Sequence, residues 1–164
     1  MPATRADRYP NVAIVLHWVI AALVLFQLVF GESIGTVMRA ARRGTVPDPG
    51  DVTLANFHYW AGLTILALAL LRIVARLLFG APPAAGGSAM TELAARVTHG
   101  LFYLLLLATP VTGLLAFYAG GPFGDIHEFA KPVFIVLIVL HALAALWHQF
   151  WLKDGTLRRM VVPG

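Results

Sequence analysis

The chain contains no cysteine. That excludes a disulfide framework, a thiol nucleophile, thiolate zinc or iron–sulfur sites, and quinone-linked disulfide chemistry. Charge is scarce too: 12% of residues are Asp, Glu, Lys or Arg, against about 25% in a soluble domain. With 59% of its 164 residues hydrophobic, the chain has too little polar surface to cover a globule in water. The net charge of +4 would suit nucleic acid. The basic residues, however, punctuate long apolar runs and form no stripe with interleaved aromatics, so a nucleic-acid module is excluded. The expected partner is the lipid bilayer.

What the chain does have is four apolar runs, at about 12–30, 57–79, 96–118 and 127–152. Each is long enough to cross the hydrocarbon core, which takes about 20 helical residues. The stretches 12–30, 97–118 and 132–152 carry no charge. The second run holds only Arg72 and Arg76, placed late enough to snorkel to the interface. Pro110 and Pro132 do not argue against helix in a membrane. The expected fold is therefore all-α: an integral membrane four-helix bundle, one domain over residues 1–164. The first run holds His17 and Trp18 and lacks an A-x-A site, so it reads as a retained helix, not a cleaved signal.

Flanking basic residues set the expected orientation. Arg5, Arg8, Arg72, Arg76, Arg96, Lys153, Arg158 and Arg159 fall on one side; Arg39, Arg42, Arg43 and Lys131 fall on the other. Eight against four puts both termini in the cytoplasm. Trp18, Trp60, Trp147 and Trp151 lie near run ends, as an aromatic belt requires. Residues 31–53 are expected to form the long external loop, residues 80–91 a short internal one, and residues 119–126 a Gly-rich turn with Asp125 as N-cap of the last helix.

Histidine is the main polar residue within or beside the runs: His17, His58, His99, His127, His141 and His148. Ionisable groups at membrane depth are costly and usually functional. His127 and His141 are 14 residues apart, only about 40° short of four full turns, so they share a helix face about 21 Å apart along the axis. A hydrocarbon core about 30 Å thick has room for two macrocycles at that separation. A zinc or di-metal carboxylate site would need ligands within a few ångströms and acidic groups within the spans 12–30, 58–79, 97–118 and 132–152, which hold none; two haem irons fit. Matching depth pairs His58 with His127 and His17 with His141. Phe134, seven residues from each histidine of the last helix, is the expected spacer. Gly62, Ala13, Ala21, Ala142, Ala144 and Ala145 are small enough for close approach to a flat porphyrin, although small residues also serve plain helix packing.

His99 and His148 remain, and converge on the inner edge of this arrangement near the membrane surface. Imidazole there would supply hydrogen bonds and protons to a quinone head group. Alternatives stay open. Any one histidine can simply bond a neighbouring carbonyl or face lipid headgroups, Pro132 could leave His127 in a loop, and His148 could replace His141 as ligand.

The motifs LHW at 16–18, FHYWAG at 57–62, THGLFYLLLLATPVTG at 98–113 and IHEFAKPVFIVLIVLHALAALWHQFWLKDGTLRRM at 126–160 make the chain resemble the bacterial cytochrome b561 family, related to the cytochrome b subunits of nickel–iron hydrogenases. The resemblance implies a four-helix protein of the bacterial inner membrane with two haem b groups, exchanging electrons with quinone. One branch is similar to superoxide oxidases, which pass electrons from periplasmic superoxide to ubiquinone. Gln149 follows His148 where relatives often carry a second His, so no haem-binding role is expected of position 149. The expected function is thus electron transfer from superoxide to ubiquinone, with His17, His58, His127 and His141 holding haem iron and His99 and His148 serving the quinone. Arg39, Arg42, Arg43 and Lys131 could steer an anion toward the outer haem; the same cluster reads equally as a solvated loop or a headgroup anchor. The alternative is a cytochrome b subunit working with a partner dehydrogenase or hydrogenase; the self-contained reading is preferred because neither end carries a docking extension. A proton-coupled carrier using histidine relays is a third class, and it would be colourless.

Overall fold

A computed structural model describes residues 9–80 and 88–162. Arg5, Arg8 and positions 81–87 of the expected internal loop lie outside the described residues. The described chain is entirely helical, with no strand: α1 (Asn11–Phe30), α2 (Glu32–Arg42), α3 (Pro49–Phe79), α4 (Ala89–Tyr118) and α5 (Phe123–Trp147). A wide π-type turn, His148–Leu152, extends α5, and a short 3-10 turn, Arg158–Met160, follows. α1, α3, α4 and α5 with its extension are long and apolar enough to cross a membrane.

Local chemistry starts the long helices earlier than the apolar runs do. α3 begins at Pro49, a residue suited to the first helical position, behind Asp48, whose Oδ1 accepts from Gly50 N at 2.7 Å. Ser88 caps α4 by accepting from Thr91 N at 3.2 Å. The expected N-cap Asp125 lies inside the first turn of α5, which starts behind Pro122; its carboxylate there still complements the helix dipole. Pro132 sits within α5, so His127 is helical and not in a loop.

The expected loop over 31–53 is corrected by α2, which fills most of its first half, and by α3, which takes its last residues. Polar composition concealed an amphipathic helix. Glu32 occupies the first turn of α2 and Arg39 and Arg42 its last, the placement the helix dipole favours.

α1 runs along α3, α4 along α5, α2 packs on α3, and α3 also meets α4. α5 makes no comparably close approach to α1 or α3. The core between the helices comprises Ile20, Val24, Ile65, Ala69, Leu106, Ala130 and Phe134. Outward side chains are apolar as well: Leu77 is 79% exposed and Phe129 70%. Surface of that kind on every long helix is stable against lipid, not water.

Candidate functional site

The space left beside α5 is where the histidines meet. His58 of α3 faces His127 of α5 with ring centres 5.9 Å apart and planes at 79°. His17 of α1 faces His141 of α5 at 6.3 Å and 60°. Two imidazoles sharing one metal need about 2.0 Å for each metal–nitrogen bond and about 1.1 Å from each nitrogen to its ring centre, a total of about 6 Å. Both pairs meet that spacing. Both also bridge helices that do not pack closely, which is the room a flat macrocycle requires. Among the described residues no group of three or more His, Asp or Glu is arranged to hold a metal ion. The donor set is one of opposed imidazoles, suited to haem.

The outer pair opens on a cavity of about 530 Å³, lined by His58, His127, Gln27, Gly62, Thr109 and Phe134 among others. Two further glycines keep it open. A methyl group on Gly113 would stand 2.9 Å from His127 Cε1, and one on Gly31 would stand 3.1 Å from His58 Nδ1. Gly62, the glycine expected to matter, has only an ordinary 3.6 Å contact with Gln27. His127 Nδ1 lies 2.8 Å from the Thr109 carbonyl; with Nδ1 donating, Nε2 is left free as a donor atom to a metal. Gln27 Nε2 donates to the His58 carbonyl at 2.8 Å and ties α1 to α3. Among the described residues the buried atoms His58 Nδ1, Gln27 Oε1 and Thr109 Oγ1 have no hydrogen-bond partner, so the cavity wall offers polar groups that protein atoms do not satisfy.

At the other end of the bundle, His99 of α4 lies against His141 with ring centres 5.6 Å apart. Phe102 packs on the same ring at 5.3 Å. His99 Nδ1 is 2.7 Å from the Ala95 carbonyl of its own helix. Because α4 and α5 are closely packed, the His99–His141 contact has no gap for a macrocycle, unlike His17–His141. Arg72 donates to the Ala13 carbonyl at 3.2 Å, one turn from His17. His148 points to different company: its Nδ1 is 2.5 Å from Asp154 Oδ2. No ring contact joins it to His99 or His141 among the described residues. Phe134, the expected spacer, is 6% exposed in the core and lines the outer cavity.

The expected cationic patch divides. Arg39 and Lys131 line the outer cavity, and Arg42 and Arg43 do not. Lys131 is paired with Glu32 at 2.5 Å, and Arg39 donates to Thr36 Oγ1. The Lys131 ammonium, by hydrogen bond and charge, holds the Glu32 carboxyl below its usual range. Sequence reasoning missed Gln27, Thr109, Gly31, Gly113 and Asp154. Gly113 was within sight, since a glycine in the middle of an apolar run marks a close approach.

The prokaryotic cytochrome b561 family model matches residues 8–163. The chain is 37% identical to cytochrome b562 of Cereibacter sphaeroides, covering 98% of this chain and 99% of the relative. It is 31% identical to the probable superoxide oxidase CybB of Yersinia pestis, over 94% of this chain and 96% of that one. Cytochrome b561 homolog 2 of Escherichia coli is 27% identical over 94% and 92%. A family of b-type cytochromes implies haem b, and imidazole, the donor paired beside α5, is a type of ligand such a group takes. With likeness running from end to end on a frame of four membrane-length helices, the chain belongs to the prokaryotic cytochrome b561 family, as a multi-pass protein of bacterial membrane electron transfer.

Proposed function

We propose that this chain is a superoxide:ubiquinone oxidoreductase of the bacterial inner membrane with two haem b groups. The observation that carries the reading is the presence of two imidazole pairs, at 5.9 and 6.3 Å, in gaps between helices and about 21 Å apart along α5. In this reading His58 and His127 hold the outer group and His17 and His141 the inner one. Haem b, when held by these imidazoles, would supply reversible one-electron chemistry.

The chain's residues do the rest. Thr109 fixes the ring of His127, Gly31 and Gly113 keep the outer cavity open, and apolar helices exclude water from both sites. Both termini lie in the cytoplasm, so the His58–His127 end faces the periplasm, where superoxide arrives. Two superoxide ions each give up one electron and leave as dioxygen. Those two electrons, with two cytoplasmic protons, convert ubiquinone to ubiquinol. His99 and His148 serve the quinone at the inner end by hydrogen bonding and proton donation. The name of the Yersinia pestis relative supports the choice of donor.

Haem-to-protein stoichiometry in four variants tests the assignment. His58→Ala and His127→Ala each lose one haem; His17→Ala and His141→Ala each lose the other. Wild-type protein in detergent reduces ubiquinone when given superoxide, without a second protein. One haem per chain, or a superoxide-inert wild type that works only with a copurifying dehydrogenase, would overturn the reading.

A further inference from the structure

The last turn of the membrane-spanning part of α5 is built to return one carboxylate onto His148. After Trp147 the helix widens into a π-type turn, and the Lys153 N–H donates to the His148 carbonyl. Such widened turns are frequent at functional sites. Lys153 then adopts a left-handed conformation, φ 54°, where glycine is the usual residue. That reversal brings the Asp154 N–H to the same His148 carbonyl at 3.2 Å. It also brings Asp154 Oδ2 to His148 Nδ1 at 2.5 Å.

The carboxylate is itself held. Asp154 Oδ1 accepts from Thr156 N at 3.0 Å and from Thr156 Oγ1 at 2.7 Å. Further along, the Met160 carbonyl accepts from Trp18 Nε1 at 2.7 Å, which ties the segment back to α1. The His148 and Asp154 side chains are 20% and 12% exposed, so the pair is largely shielded at the end of the bundle.

We propose that Asp154 is a positioning residue for proton delivery to the quinone: it occupies His148 Nδ1, so that the ring gives and regains protons through Nε2 alone. This rests on the quinone reading above. As ubiquinone takes up its two electrons, His148 Nε2–H protonates a quinone oxygen. The O–H bond forms, the N–H bond breaks, and the ring is left neutral with its proton on Nδ1 facing Asp154. Cytoplasmic water then returns a proton to Nε2, and the second oxygen is protonated in the same way. Without the carboxylate the remaining proton can sit on either nitrogen, and with it on Nε2 the ring cannot take a cytoplasmic proton back at the atom that faces the quinone. The competing role is a staple that only fastens residues 153–160 to the span.

Asp154→Asn separates the two roles, because an amide bonds His148 Nδ1 either as acceptor or, turned over, as donor, so the staple is kept while the position of the ring proton is no longer fixed. The full-length haem-loaded protein in detergent, given superoxide and a short-chain ubiquinone, should show kcat about 10-fold or more lower in Asp154→Asn, with KM within about twofold. Haem content and the reduced spectrum should be unchanged, and Asp154→Glu should recover most of the rate. In ring-labelled protein, the ¹⁵N signal of His148 should move from a single Nδ1–H form to a tautomer mixture in Asp154→Asn. If Asp154→Asn loads no haem, Thr156→Val, which removes the hydroxyl bond to Asp154 Oδ1 and leaves the backbone one, carries the same kcat-against-KM comparison. An active wild type with an equally fast Asp154→Asn and an unmoved ¹⁵N signal overturns this proposal alone. A wild type that reduces no ubiquinone overturns the quinone reading, and this one with it.

Discussion

At Gly113 an added methyl would meet the His127 ring at 2.9 Å, closer than carbon atoms pack without something moving. The ring cannot swing aside without losing the bond that the Thr109 carbonyl, one turn earlier on α4, makes to its Nδ1 at 2.8 Å. Gly113→Val should therefore displace His127 and leave the outer site unable to hold its group. Expected is the loss of about one haem per chain, with the inner group spectroscopically intact; the pyridine haemochrome ratio checks it. Gly62→Ala, with its 3.6 Å contact to Gln27, should leave both. The histidines themselves were legible from sequence because imidazole at membrane depth is rare and a 14-residue interval is readable without coordinates. Their neighbours were not. A backbone carbonyl such as that of Thr109 has no side-chain signature, and Asp154 reaches His148 only through a widened turn that periodicity does not reveal.

α2 shows how an element can hide in composition. Its apolar face, Ile34, Val37, Met38 and Ala41, is short and its ends are charged, so mean hydropathy alone reads linker; that spacing and the dipole-matched placement of Glu32, Arg39 and Arg42 were the available clues. α2 is fastened to α5 by Lys131 and Glu32 over the outer cavity. Because this contact holds the Glu32 carboxyl below its usual range, the tie is fully present above the ordinary glutamate value. It is lost as pH falls through the lowered one. Hydrogen exchange of α2 amides should accelerate across that acidic window in the wild type, and should already be fast at neutral pH in Lys131→Gln. At the opposite end, burial pushes the Asp154 carboxyl up, but hydrogen bonds from Thr156 and His148 outweigh it and hold it below its usual value. That pair too contributes stability above the ordinary aspartate range and loses it toward acid. Lys153 adopts a left-handed turn that favours glycine. Lys153→Gly should thus cost the fold nothing and stabilise it by up to about 1 kcal/mol, read as a higher unfolding temperature.

For the molecule as a whole, the number and type of long helices followed from four apolar runs, since a bilayer admits no other way to satisfy the backbone of such segments. Which helices lie side by side did not follow, because apolar residues face both core and lipid and leave no amphipathic stripe to read. Phe134 stands where the four long helices meet and is 6% exposed. Phe134→Ala should lower stability by about 3 kcal/mol through the cavity it leaves, measurable in chemical unfolding. With both histidine pairs untouched, haem content should stay near that of wild type.

α1 with α3, and α4 with α5, form two closely packed halves, tied across their seam by Lys131–Glu32 at one end and by Trp18 to the Met160 carbonyl at the other. Between those ties α3 meets α4, a shared core of residues such as Ile20, Ile65, Leu106 and Phe134 fills the middle, and the two histidine pairs face each other across the seam. Haem held between the imidazoles of a pair would therefore fasten the halves together as well as carry electrons. A cell short of porphyrin would make this chain without that crosslink, easier prey for membrane proteases, so its abundance should follow pigment supply.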